Sequence, residues 1–130
     1  MGDGALILLA EDDEAQREVL VEILELEGYR VLPAASPGEV VAGLRESPAL
    51  VLLDLVGVVS PAVMGALGTM ARPPALMLVS GDATLPEMAE RLGAAGYLAK
   101  PYDLDELLLR VREAVARGRG MPSNGARTGA

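Results

Sequence analysis

The sequence predicts an α/β fold: a doubly wound, five-stranded parallel sheet with helices on both faces. Three observations predict it. Five short apolar runs recur along the 130 residues, at 5–10, 30–34, 50–55, 75–80 and 96–99. Four of them are nearly continuous aliphatic stretches, as expected of strands covered on both sides. Segments with helical spacing of apolar residues separate the runs, and right-handed crossovers between successive parallel strands then distribute the helices over both faces. The second run, Arg30-Val31-Leu32, is the least apolar and suits a sheet edge.

Each helical segment carries its own start and stop signals. Residues 14–27 place Val19, Leu20, Ile23, Leu24 and Glu27 at helical spacing, with Asp13 as N-cap and Gly28 as terminator. Ser36-Pro37-Gly38-Glu39 has a capping-box pattern with proline at the first helical position. Thr84-Leu85-Pro86-Glu87 and Asp103-Leu104-Asp105-Glu106 repeat that logic, with Gly93 and Gly118 as the stops. The last helix presents Leu104, Leu107, Leu108, Val111 and Val115 on one face. Residues 61–71 form the weakest helix, because Gly65 and Gly68 lower its propensity. After Gly118 the composition turns to Gly, Pro, Ser, Asn and Arg, so residues 1–117 are expected to fold and 118–130 to be a disordered tail or linker.

Composition removes several classes of function. With no cysteine and no histidine, the chain has no disulfide or thiolate–metal scaffold, no imidazole catalysis and no phosphohistidine of its own. Its net charge of −8 repels DNA and anionic membranes. The arginines near the end of the last helix, Arg110, Arg112 and Arg117, suit the negative end of a helix dipole. Residues 55–71 are uncharged, but Ser60, Pro61 and three glycines make them a strand end, a loop and a small helix rather than a membrane span. The first residues, Met1-Gly2-Asp3-Gly4, lack the basic region of a signal peptide, so a cytoplasmic location is expected.

In a sheet of this type ligands bind outside the carboxyl ends of the strands. The first strand is followed by Glu11-Asp12-Asp13, the third ends in Asp54, the fourth in Ser80-Gly81-Asp82 and the fifth in Lys100-Pro101. Lys100 is the only lysine, against ten arginines. A compact ammonium at a strand end suits a carboxylate or a phosphoryl group better than a planar guanidinium does. Individually these residues have plainer readings: helix-dipole acids at Glu11 and Asp12, a turn cap at Asp54, a turn residue at Ser80. Asp54, however, ends an aliphatic strand, where a charge is costly unless paired. Three carboxylates that repel one another favour a hard cation such as Mg²⁺. A carboxylate beside it could act as nucleophile toward a phosphoryl group held by the ammonium and the hydroxyl.

This ordered set resembles the receiver domain of bacterial two-component response regulators. Its carriers are Glu11-Asp12, Arg17, Asp54, Ser80-Gly81 and Tyr97-Leu98-Ala99-Lys100-Pro101-Tyr102, and the likeness covers residues 5–117. The resemblance implies a flavodoxin-like (βα)5 fold with strand order 2-1-3-4-5. It implies Mg²⁺ held by Glu11, Asp12, Asp54 and the Val56 backbone carbonyl, and phosphorylation of Asp54 by a sensor histidine kinase. Lys100 would contact the phosphoryl group. Ser80 and Tyr97 would form a switch pair, and Val56 and Asp82 would tune the lifetime of the phosphoryl group. A downstream protein or a second copy would bind through residues 84–117, with no direct contact to nucleic acid or membrane.

The sequence departs from the family after Asp54. Val58 and Ala62 stand where most members carry proline and glycine, Val56-Gly57-Val58-Val59 is unusually apolar, and the stretch to Ser80 is short. The alternative is therefore a receiver-like interaction module that is not phosphorylated. Two other classes fail on residues: a haloacid-dehalogenase-type phosphatase needs an acid at position 56, and a dinucleotide-binding turn needs glycines where Glu11-Asp12-Asp13 stand. The chain is expected to act alone through protein contacts or as the first part of a longer protein.

Overall fold

The protein is described by a computed structural model covering residues 4–54, 60–81 and 85–118. Ten elements alternate along it: β1 (Leu6–Ala10), α1 (Glu14–Leu26), β2 (Arg30–Ala34), α2 (Pro37–Leu44), β3 (Leu50–Asp54), α3 (Pro61–Thr69), β4 (Ala75–Ser80), α4 (Leu85–Leu92), β5 (Gly96–Ala99) and α5 (Leu104–Gly118). The strands form one parallel sheet in the order β2-β1-β3-β4-β5. The expected topology is the one found, and β2 lies at an edge. That position tolerates Pro33, which has no N–H to give to a ladder.

Side chains on each strand alternate between two cores. Ile7, Leu9, Leu50, Leu52, Met77, Val79 and Leu98 pack with Leu20 and Leu24 of α1 and Leu107 and Val111 of α5. Leu8, Ala10, Val51, Leu53, Leu76 and Leu78 pack on the other face with Val40 and Leu44 of α2, Val63 of α3, and Leu85 and Ala89 of α4. Aliphatic residues at consecutive strand positions are thus explained, since each neighbour belongs to a different core. Gly43 lets α2 approach β1 closely: a Cβ there would lie 2.6 Å from Leu8 Cδ1.

The helix starts follow local chemistry. Asp13 Oδ2 accepts from Gln16 N at 2.8 Å, and Ser36 Oγ accepts from Glu39 N. The return bond of that capping box runs to Ala35, whose N–H donates to Glu39 Oε1 at 2.7 Å. Ser60-Pro61 opens α3 in the same way, with Ser60 Oγ accepting from Val63 N. Gly28 and Gly93 adopt left-handed φ values of 96° and 68° where α1 and α4 end, a conformation that favours glycine.

Small departures from expectation have plain causes. Helix α1 stops at Leu26 with Glu27 as its cap, and α3 stops at Thr69. Val19, expected on the packed face of α1, is 54% exposed, because Leu20 and Leu24, with Val21 packed beside them, fill that helix's seat on the sheet. Among the described residues, no helix is long and apolar enough to cross a membrane. The expectations for Val56, Asp82, Thr84 and the segment after Gly118 lie outside the described residues.

Candidate functional site

Strand register assembles the site. Ile7 pairs with Leu50, Leu9 with Leu52 and Ala10 with Leu53. One step further along the same register, Glu11 falls beside Asp54, both on the side of the sheet covered by α1 and α5. Glu11 is held there by its N–H to Ala34 O at 3.0 Å. Lys100 has the parity of Leu98, so it emerges on that side too, and its backbone is fixed by Lys100 N donating to Ser80 O at 2.9 Å. Ser80 and Tyr97 have the opposite parity, toward α4.

The result is a compact charged cluster. Lys100 Nζ lies 2.5 Å from Asp54 Oδ2 and 3.9 Å from Glu11 Oε1. It also donates to Gln16 Oε1 at 3.4 Å. Glu11 Oε2 accepts from Asp13 N at 3.0 Å, and Arg17 Nη1 donates to the Glu11 carbonyl at the same distance. The turn carrying the acids is thereby tied to α1. Both carboxylates are buried, Glu11 at 3% exposure and Asp54 at 4%.

Two buried carboxylates facing one ammonium leave an excess of negative charge, and Glu11 shows it. Its pKa rises to about 7, first through burial and then through its hydrogen bond to Asp54 and that residue's charge, against the pull of Asp13 N–H and Lys100. Burial opposes the charge on Lys100, but Asp54 and Glu11 outweigh it and hold its pKa above the usual lysine value. Tyr102 is raised by burial, with Lys100 pulling it down.

The donors are all oxygen, acidic and short of positive charge, which fits a hard divalent cation. Asp12 is exposed beside them, and among the described residues no three acidic side chains are gathered at metal-binding spacing. The structure thus brings together Glu11, Asp54 and Lys100. It buries Ser80 at the next strand end and leaves Tyr97 on β5 41% exposed. Two residues given no role in the sequence also belong to the cluster. Gln16 touches Lys100, a contact that nothing in its sequence neighbourhood signals. Tyr102 helps line a cavity of about 10 Å³ with Glu11, Asp54 and Lys100, room for at most one water. A wider groove of about 610 Å³ lies elsewhere, between β2 and α2.

Fold and cluster together define the class: a flavodoxin-like α/β domain with an acid–lysine site at the carboxyl edge of its sheet. The family model for the response regulator receiver domain matches residues 7–112. The chain belongs to this family, the receiver domains of two-component response regulators. It is 30% identical over 127 residues to the sensory transduction protein RegX3 of Mycolicibacterium smegmatis, covering 95% of this chain and 56% of that protein. It is 32% identical over 114 residues to the transcriptional regulatory protein CpxR of Escherichia coli, covering 85% and 49%. The chain therefore spans about half the length of the curated relatives it matches. Among solved structures, a putative response regulator from Chloroflexus aurantiacus superimposes with a TM-score of 0.76 at 26% identity, covering 88% of this chain and 99% of that one. The BeF3-activated receiver domain of Klebsiella pneumoniae RstA shares the fold, with a TM-score of 0.70 at 24% identity over 85% of this chain and 97% of that one.

Proposed function

We propose that this receiver domain takes a phosphoryl group from a sensor histidine kinase onto Asp54 and signals through protein contacts. One observation carries the reading: the Lys100 ammonium sits 2.5 Å from a buried aspartate at the end of β3, beside a second buried carboxylate. An Asp54 carboxylate oxygen attacks phosphorus, the P–N bond of the donor phosphohistidine breaks, and the departing imidazole nitrogen takes a proton. The product is an aspartyl phosphate, which water later returns to carboxylate and inorganic phosphate. Lys100 transfers its contact from the carboxylate to the phosphoryl oxygens, and the Ser80 hydroxyl, which starts on the α4 side of the sheet, moves toward the phosphoryl group to supply a second donor. Such transfer depends mainly on positioning and charge stabilisation.

Glu11, Asp12, Asp54 and the Val56 carbonyl are the residues that would hold Mg²⁺. When bound, the ion offsets the negative charge of the carboxylates and the incoming phosphoryl group. On this reading residues 1–117 are the receiver unit, Ser80 and Tyr97 the switch pair, and residues 84–117 the surface for a downstream protein or a second copy. Apolar Val56 would hinder the attacking water, giving a longer phosphoryl lifetime than in Val56→Asn, and Asp82 would tune the same step.

Incubation with acetyl phosphate and Mg²⁺, read by intact mass, tests the proposal. The expected result is a gain of one phosphoryl group that is lost in Asp54→Asn. No gain, or a gain that survives the substitution, would overturn it in favour of an unphosphorylated interaction module. The Lys100–Asp54 pair tells against that alternative, because a module of that kind has no need of a buried carboxylate held by an ammonium.

A further inference from the structure

An ammonium has three N–H donors, and around Lys100 the acceptors are of two kinds. Asp54 Oδ2 at 2.5 Å is a carboxylate oxygen and Gln16 Oε1 at 3.4 Å a neutral amide oxygen, while Glu11 Oε1 at 3.9 Å lies within ion-pair range but beyond hydrogen-bond distance. The amide contact bridges 84 residues and joins α1 to the end of β5. Its base is anchored, since Gln16 N donates to Asp13 Oδ2 at 2.8 Å and the adjacent Arg17 is tied to the Glu11 carbonyl. The first turn of α1 thus grips the site twice, once at the backbone of the acids and once at the ammonium.

We infer that Gln16 is a positioning residue for Lys100, steering the ammonium toward the phosphoryl group on Asp54; the inference rests on the phosphoacceptor reading above. The argument is one of charge. A phosphoryl group arriving at Asp54 must draw Lys100 away from its carboxylate partners. A third carboxylate at position 16 would hold the ammonium back and repel the incoming anion. An aliphatic side chain would leave the third donor to water and the ammonium less directed. A neutral acceptor orients one N–H at neither cost.

The lone lysine makes the test specific. Protein labelled with ¹⁵N at lysine Nζ carries a single side-chain ammonium resonance, belonging to Lys100. Wild type, Gln16→Met and Gln16→Glu are compared; Met, Gln and Glu have similar helix propensities, so α1 is kept. In Gln16→Met the resonance should shift and its hydrogen exchange quicken, and loading from acetyl phosphate with Mg²⁺ should slow about three- to tenfold, the scale of one hydrogen bond to a charged group weakened by exposure. Gln16→Glu should restore the protection of the ammonium yet load at least as slowly. An unchanged ammonium signal in Gln16→Met, or wild-type loading by Gln16→Glu, overturns the inference. If the wild type itself does not load, the phosphoacceptor reading falls, and the ammonium signal still decides whether Gln16 holds Lys100.

Discussion

Replacing Glu11 with glutamine should make the domain more stable, increasingly so as pH rises. Glu11 is buried beside Asp54, and its pKa is raised from 4.5 to about 7 by burial first and by Asp54 second. A raised carboxyl pKa means that the folded chain binds this proton more tightly than the unfolded chain. The resulting stabilisation is full below 4.5 and is lost as pH climbs through 7. At about 1.4 kcal/mol per pKa unit, the shift corresponds to about 3 kcal/mol that the ionised carboxylate costs the fold. Glutamine keeps the shape, stays neutral, and can still accept from Asp13 N and donate toward Asp54. Lys100, whose pKa lies above its ordinary 10.5, does not titrate in this window. The assay is urea denaturation of both proteins without divalent cation. The variant should lead by about 3 kcal/mol near pH 8.5, with the lead narrowing by about 1.4 kcal/mol for each unit between pH 7 and 4.5. A lead that does not change with pH, or a variant less stable throughout, would refute the placement of Glu11 against Asp54. Added Mg²⁺ should stabilise the wild type at the higher pH and the variant less.

Four further outcomes test other parts of the structure. Lys100→Arg keeps the charge but replaces a point cation with a planar fork, so calorimetric Mg²⁺ titration should be largely unchanged while phosphorylation-dependent partner binding is impaired. Gly43→Ala should lose up to about 2 kcal/mol in urea denaturation, because overpacking against buried Leu8 outweighs the gain in helix propensity; Gly65→Ala, whose Cβ meets nothing within 4 Å, should gain about 0.5–1 kcal/mol. Asp13→Ala removes the acceptor for Gln16 N and should lower thermal stability by about 1 kcal/mol.

Much of the architecture was legible because its causes are local. Apolar runs, N-caps at Asp13 and Ser36, and the left-handed turns at Gly28 and Gly93 are properties of a few consecutive residues, and they located every strand and helix to within a few positions. The exposure of Val19 was not legible. Helical spacing admits a wider apolar face than the sheet has room for, and only packing decides which residues of that face are used. The cap at Ser60 was readable in principle, since Ser60-Pro61 repeats Ser36-Pro37, but the two glycines that follow obscured it.

The site divides along the same line. The sequence alone determined which residues stand at the carboxyl ends of the strands: Glu11, Asp54, Ser80 and Lys100. Order and alternation also imply two sides, since Glu11 continues Ile7 and Leu9, Asp54 continues Leu50 and Leu52, and Lys100 follows the parity of Leu98. Which of these residues touch was decided only by tertiary structure. Contact depends on the register between strands far apart in the chain, and that register is set by the joint packing of two cores. Register brings Glu11, Asp54 and Lys100 into one cluster and turns Ser80 toward the other face. The seat of α1 on the sheet then adds Gln16, a residue whose own sequence neighbourhood carries no sign of the lysine 84 positions away.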